Sequence, residues 1–168
     1  GGEQKVALAF TGDGATSQGE FHEALNVAAV WQLPVIFIIE NNGYGLSTPV
    51  NEQYRCSQLA ERGVGYGMRA LTIDGNNILE VHQTIRQLAE EIRQNPEPVL
   101  VECMTFRMRG HEEASGTKYV PKELMDTWAQ KDPIQNFEEF LLAEKLLSKA
   151  KVDQLKKQIK QEIEKGLE

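Results

Sequence analysis

Asp13 stands as a lone carboxylate between Gly12 and Gly14, and Asn42 follows it 29 positions later in Glu40-Asn41-Asn42. Each closes an apolar run, Val6-Ala7-Leu8-Ala9-Phe10 before the first and Val35-Ile36-Phe37-Ile38-Ile39 before the second. Parallel neighbouring strands would bring both side chains to one carboxyl edge of a sheet. A carboxylate, an amide oxygen and phosphate oxygens make a hard, oxygen-only site of the kind Mg²⁺ prefers. The flanking glycines let the backbone approach a ligand closely. A helix starting just after them would turn its first free N–H groups toward an anion such as a phosphate, with Gly14 and Ala15 as the expected donors. Taken alone, Asp13 could equally cap that helix; Asn42 in register shifts the reading to a metal. A dinucleotide fingerprint fits poorly, because G-x-G-x-x-G needs glycine at position 17, which is Ser17. Glu40 is read as holding a neighbouring loop rather than as a ribose-binding acid.

The elements that must position these residues alternate along the chain. Strands are expected at Val6–Phe10, Val35–Ile39, Arg69–Ile73 and Val99–Phe106, with helices between them, the pattern of a parallel sheet flanked by helices. One helix runs from about Glu20 to Trp31. Another carries Ile78, Val81, Ile85, Leu88 and Ile92 at spacings of three and four, bounded by Pro96 and Pro98. Asp74-Gly75-Asn76-Asn77 reads as its turn and cap, with Asp74 as the capping residue rather than a catalytic one. From Arg107 to Val120 the chain is a polar loop. Beyond it come helices only: one opened by Pro121, one from Pro133 to about Leu147 capped by Asp132, and one from Val152 to about Leu167. The last has an apolar stripe of Val152, Leu155, Ile159 and Ile163 and reads as a solvated surface helix. The expected division is an α/β domain over residues 1–120 and a helical extension over 121–168.

At 168 residues the chain can bury one full core. A net charge of −7 argues against a nucleic-acid partner. No apolar run approaches the ~20 residues of a membrane span, and the expected location is cytoplasmic, or the mitochondrial matrix in a eukaryote. Cys56 and Cys103 are too few for a disulfide framework, and Cys103 reads as a small buried residue of its strand. Among the histidines, His22 belongs to a helix surface or interface and His82 to solvent. His111 lies in the polar loop behind Gly110, on the same sheet edge as Asp13 and Asn42, and Arg107 opens that loop.

The ordered set Gly12-Asp13-Gly14-Ala15-Thr16-Ser17-Gln18-Gly19, Phe21-His22-Glu23-Ala24-Leu25-Asn26, Leu33-Pro34-Val35 and Glu40-Asn41-Asn42-Gly43-Tyr44-Gly45 resembles one family of thiamine-diphosphate enzymes. It is the alpha subunit, or alpha half, of the decarboxylating component of 2-oxo acid dehydrogenases, with pyruvate, branched-chain and acetoin members. Arg107-Met108-Arg109-Gly110-His111 and Lys131-Asp132-Pro133-Ile134 extend the resemblance over nearly the whole chain. It implies a thiamine-diphosphate-binding fold and Mg²⁺ held by Asp13, Asn42 and the main-chain carbonyl of Tyr44. The Tyr44 ring is left to packing. The diphosphate would rest on Gly12, Gly14 and Ala15. His111 would contact the diphosphate and assist transfer of the acyl group to a lipoyl group, while Arg107 would support the loop and the anion.

The reaction so implied is oxidative decarboxylation of a 2-oxo acid. Two partners are implied, a beta subunit supplying a catalytic glutamate for which this chain has no candidate, and the lipoyl domain of an acyltransferase. The chain opens on Gly1-Gly2-Glu3 without a methionine and is read as the carboxyl-terminal part of such a subunit. In regulated members a phosphorylated serine follows the histidine; here Glu112 and then Glu113 follow, so that control is not expected, and Ser115 and Thr117 do not fill the slot. The loop after Glu112 also lacks a Gly-Asp-Pro continuation, which leans toward a branched-chain substrate. A transketolase-like enzyme and a non-catalytic phosphate-binding module are the alternatives.

Overall fold

A computed structural model describes residues 4–112, 114 and 116–167. Gly1, Gly2, Glu3, Glu113, Ser115 and Glu168 lie outside the described residues, and with them the readings placed on the first three and on Glu113 and Ser115. The four expected strands form one parallel sheet: β1 (Ala7–Gly12), β2 (Val35–Asn41), β5 (Arg69–Asp74) and β6 (Val99–Met104), in the order β1-β2-β6-β5. The central pair, β2 and β6, reads as near-continuous apolar sequence because both faces are covered.

The order of strands decides the faces. Helix α1 (Gly19–Trp31) carries the chain from β1 to the adjacent β2, whereas α4 (Ile78–Gln94) carries it from β5 back to β6, in the opposite direction. Right-handed crossovers therefore put α1 and α4 on opposite faces. Leu25 of α1 packs with Ile39, Leu59, Met68 and Leu100 on one face. Leu88 and Ile92 of α4 pack with Ile36, Ile38, Val99 and Val101 on the other. Helix α3 (Glu61–Gly65) lies so close to the first face that a Cβ on Gly63 would sit 3.0 Å from Ala70 Cβ and 3.2 Å from Leu100 Cβ. Leu100 is fully buried at this contact. Leu100→Ala should cost about 2–5 kcal/mol, read as a lower denaturant midpoint with an unchanged slope.

Between β2 and α3 the chain forms elements that the periodicity did not announce: a two-residue hairpin, β3 (Tyr44–Gly45) with β4 (Thr48–Pro49), and the single turn α2 (Val50–Gln53). Other differences are local. The cap of α4 is Asn77, whose Oδ1 accepts from the N–H groups of Leu79 (3.2 Å) and Glu80 (3.4 Å). Asp74 stands three residues too early for that and accepts from Asn76 N–H at 2.9 Å. Pro121 directly precedes α5 (Lys122–Ala129) rather than sitting in its first turn.

The chain divides into two compact units between Gln130 and Lys131, ten residues beyond the boundary expected at 120. Helix α5 falls in the first, where Trp128 stacks on Phe106 with ring centroids 5.5 Å apart. The second unit holds α6 (Pro133–Ala143), capped by Asp132 through two 2.9 Å bonds, and α7 (Lys149–Gly166), capped by Ser148. Within it Glu138 of α6 pairs with Lys149 and Lys156 of α7. Ile159 and Ile163 are exposed, as a solvated helix requires. No helix among the described residues is long and apolar enough to cross a membrane.

On the α4 side of the sheet, β1 is only partly covered. Leu8 and Phe10 are 47% and 63% exposed and, with Val6, Ile38, Ile85 and Ala89, line a groove of about 630 Å³. Cys103 also faces it; burial, then the nearby Glu40 and Glu102 charges, push its thiol up to about 11, so it is an inert core thiol as expected.

Candidate functional site

In a parallel sheet, ligands are held beyond the carboxyl ends of the strands. There β1 and β2, paired from Ala7↔Val35 to Gly12↔Glu40, deliver Asp13 and Asn42 into one cleft of about 690 Å³. Gly12, Gly14, Ala15, Tyr44, Arg107 and His111 line it as well. Every site residue singled out from the sequence thus borders a single cleft. Glu40 does not; it is exposed and lines the groove beside α4.

Asp13 is 1% exposed, yet among the described residues its side chain has one protein partner: Gln53 Nε2 donates to Oδ2 at 3.2 Å. Among the described residues Oδ1 takes no hydrogen bond. The Asp13 carbonyl accepts from the buried Thr16 hydroxyl (2.6 Å) and from Thr16 N–H (3.2 Å), which winds residues Gly14–Ser17 into a 3₁₀ turn. Helix α1, expected from about Glu20, starts at Gly19, so this turn stands between the glycines and the helix. Gly14 and Ala15 open the turn, so their N–H groups have no acceptor inside it. Arg62 donates to the Thr16 carbonyl and stands over the Tyr54 ring at 5.7 Å, fixing the turn from behind.

On the other wall, Asn42 Oδ1 accepts from Tyr44 N–H (3.0 Å) and Asn41 Oδ1 from Gly43 N–H (3.1 Å), two successive side-chain turns. Gly43 takes the left-handed conformation, φ +82°, that this reversal requires. An amide oxygen with one hydrogen bond keeps a second lone pair. The Tyr44 ring lies edge-on to Phe106 and Tyr119. The two walls touch. A Cβ on Gly14 would lie 3.0 Å from Gly45 Cα, and one on Gly45 would lie 2.7 Å from Gln53 Oε1.

Arg107 ties the rim together, donating to the carbonyls of Leu46 (2.6 Å) and Arg109 (3.1 Å) and to the Tyr119 hydroxyl (3.1 Å). Its guanidinium lies 3.5 Å from His111 Nδ1, and His111 is exposed to the cleft. The donor set suits a phosphorylated cofactor with its cation: one buried carboxylate, one amide oxygen, free turn amides and a cationic rim. No cluster of three or more His, Cys, Asp or Glu side chains occurs among the described residues, so any cation here would rest on a single carboxylate.

Comparison with known proteins decides the family. The model of the dehydrogenase E1 component family matches residues 1–168. The chain belongs to that family. It is 41% identical to the alpha subunit of the acetoin:2,6-dichlorophenolindophenol oxidoreductase of Bacillus subtilis (strain 168) over 165 residues, 98% of this chain and 49% of that one. It is 38% identical to the alpha subunit of 3-methyl-2-oxobutanoate dehydrogenase of Mycobacterium tuberculosis (strain CDC 1551 / Oshkosh) over 91% of this chain and 42% of that one. With the alpha subunit of the pyruvate dehydrogenase E1 component of Rickettsia bellii it shares 33% over 99% of this chain and 51% of that one. The chain therefore spans about half the length of the relatives it matches.

Several residues of this E1-type cleft were not singled out from the sequence. Gln53 touches Asp13, Leu46 and Thr48 line the cleft, and Asn41, Tyr54 and Glu102 form a buried network behind it. Burial, followed by the Glu102 and Asp13 charges, raises the Tyr54 phenol above its ordinary range, against the pull of the Asn41 hydrogen bond. Only Glu102 had a signal to read: a carboxylate inside the apolar strand Val99-Leu-Val-Glu-Cys-Met104.

Proposed function

We propose that this chain is the diphosphate- and Mg²⁺-holding part of a thiamine-diphosphate-dependent 2-oxo acid dehydrogenase. The observation that carries the reading is the convergence of Asp13, Asn42, Tyr44, Gly14, Ala15, Arg107 and His111 on one cleft, in a chain of the E1 component family. Asp13 Oδ1, Asn42 Oδ1 and the Tyr44 carbonyl would hold Mg²⁺, with diphosphate oxygens and water completing six positions. Gly12, Gly14 and Ala15 would let the backbone meet the diphosphate. When bound, thiamine diphosphate supplies the carbanion-stabilising chemistry that lets a 2-oxo acid lose carbon dioxide.

This chain's own residues bind and orient. Asp13 neutralises cation charge in a buried position, where the interaction is strong. Arg107 fixes the rim by its bonds to Leu46, Arg109 and Tyr119. His111, exposed beside it, is placed to donate to the anion and to meet an incoming lipoyl group. A beta subunit would supply the glutamate and the opposite wall, and the lipoyl domain of an acyltransferase would take the acyl group. The α/β part through residue 120 carries the site.

The loop after Glu112 favours a branched-chain 2-oxo acid. Acetoin is the second reading, supported by the 41% identity to an acetoin oxidoreductase subunit. Steady-state assays of the assembled enzyme with 3-methyl-2-oxobutanoate, pyruvate and acetoin test both. Turnover of the first, dependent on Mg²⁺ and thiamine diphosphate, is expected. Preference for acetoin would move the chain to the second reading. Failure to bind thiamine diphosphate with Mg²⁺ would leave a phosphate-binding module without catalysis.

A further inference from the structure

Glu102 is 1% exposed, at the centre of β6 between the fully buried Val101 and the buried Cys103. Placing a carboxylate there costs several kcal/mol unless donors surround it. Its Oε1 accepts from Asn41 Nδ2 at 2.7 Å. Its Oε2 accepts from Ala60 N–H at 3.0 Å and from the Thr72 hydroxyl at 3.1 Å. All three partners are neutral donors, from the end of β2, the approach to α3 and β5. The carboxylate is spent wholly on organising backbone and neutral side chains; it does not reach the cleft.

From these contacts we infer that Glu102 is the positioning residue of the Asn41–Tyr44 turn; the inference rests on that turn being the metal-holding segment. An amide side chain can turn either end toward a neighbour. Because Glu102 accepts only, it holds Asn41 with Nδ2 inward. Asn41 Oδ1 is thereby aimed at Gly43 N–H (3.1 Å), and Asn41 Nδ2 also reaches the Tyr54 hydroxyl (3.0 Å). The Asn41 carbonyl accepts from Thr105 N–H at 2.9 Å, so the residue is pinned at both ends. The next turn, Asn42 Oδ1 with Tyr44 N–H, is built on this one, and both residues line the cleft. Glu102 acts on the ligand at second remove.

Glu102→Gln in the assembled enzyme tests this. A glutamine has one acceptor oxygen, and whichever way it lies its NH₂ faces a donor, either Asn41 Nδ2 or the Ala60 and Thr72 pair. Without cofactor, hydrogen exchange at the Gly43 and Tyr44 amides should quicken. Affinity for thiamine diphosphate at fixed Mg²⁺ should fall about 10–100-fold, as for other outer-shell partners of metal ligands. The rate at saturating cofactor should change far less than the affinity. A lower unfolding midpoint, with exchange at Gly43 and Tyr44 and cofactor affinity both as in wild type, would reduce Glu102 to a structural residue and overturn the inference.

If Glu102→Gln does not fold, Asn41→Ala keeps the Ala60 and Thr72 bonds and should show the same pattern, with unchanged affinity overturning the inference. Wild-type protein that binds no thiamine diphosphate with Mg²⁺ would fail the reading of the cleft itself. The exchange comparison would still decide what Glu102 does to the turn.

Discussion

Asp13→Ala should remove Mg²⁺-dependent binding of thiamine diphosphate from the assembled enzyme while leaving the fold standing. Outer-shell partners of metal ligands alone cost about 10–100-fold when removed, so loss of the one carboxylate in the cleft should exceed that range. The fold should survive because, among the described residues, the Asp13 side chain makes a single protein hydrogen bond, from Gln53 at 3.2 Å, worth about 1 kcal/mol. Gln53 Nε2 keeps its second acceptor, the Thr48 carbonyl at 2.9 Å. The bonds that wind the following turn run from Thr16 to the Asp13 main chain and are indifferent to the substitution. Titration calorimetry with cofactor, alongside a thermal melt, separates the two effects. Wild-type affinity in Asp13→Ala would sink the metal assignment.

The second large effect is one of absence. The 168-residue chain by itself should release no carbon dioxide from a 2-oxo acid, even with saturating cofactor and Mg²⁺. Among the described residues lining the cleft, Asp13 is the sole carboxylate, and under the proposed function it holds the cation. Under that reading no further carboxylate among them is left to activate the cofactor ring, and the cleft accounts for the diphosphate end alone. A ligand with its rings in water binds weakly, since tight sites bury most of a ligand's surface. The free chain should also self-associate, because Phe10 (63% exposed), Val30 (69%) and Trp31 (70%) leave apolar surface uncovered. Carbon dioxide evolution in proportion to chain concentration, with no added subunit, would show the catalytic apparatus to be misplaced here.

What could be read from the chain follows from the range over which each signal acts. Strands β2 and β6 and helix α4 announce themselves because burial imposes an apolar run or period on five or more consecutive residues, whereas β1 is legible from its apolar run although Leu8 and Phe10 are exposed. Asp13 and Asn42 were legible because both follow such strands directly, so strand register carries them to one edge. The hairpin Tyr44–Pro49 and the single turn Val50–Gln53 are shorter than any periodic window, and with them Gln53, Leu46 and Thr48 went unread. Cap chemistry is shared by Asp and Asn, so the sequence alone admits Asp74 as the cap of α4, and only the true helix start at Ile78 selects Asn77. Glu102 stood in plain view inside an apolar strand, but its partners Asn41, Ala60 and Thr72 come from three separate segments. Such a meeting is a property of the folded sheet, not of any stretch of sequence.

The contact between Gly14 and Gly45 bears on how this site can change over time. With 3.0 Å between a Gly14 Cβ and the Gly45 backbone, and 2.7 Å between a Gly45 Cβ and the Gln53 side chain, a larger residue at either position requires a neighbour to give way. Gln53 could yield by swinging away, but it is also the residue that touches Asp13. A change at Gly14 or Gly45 is felt at Gln53, and through it at Asp13. The two loops are therefore bound to a shared history: drift in one is checked by the other.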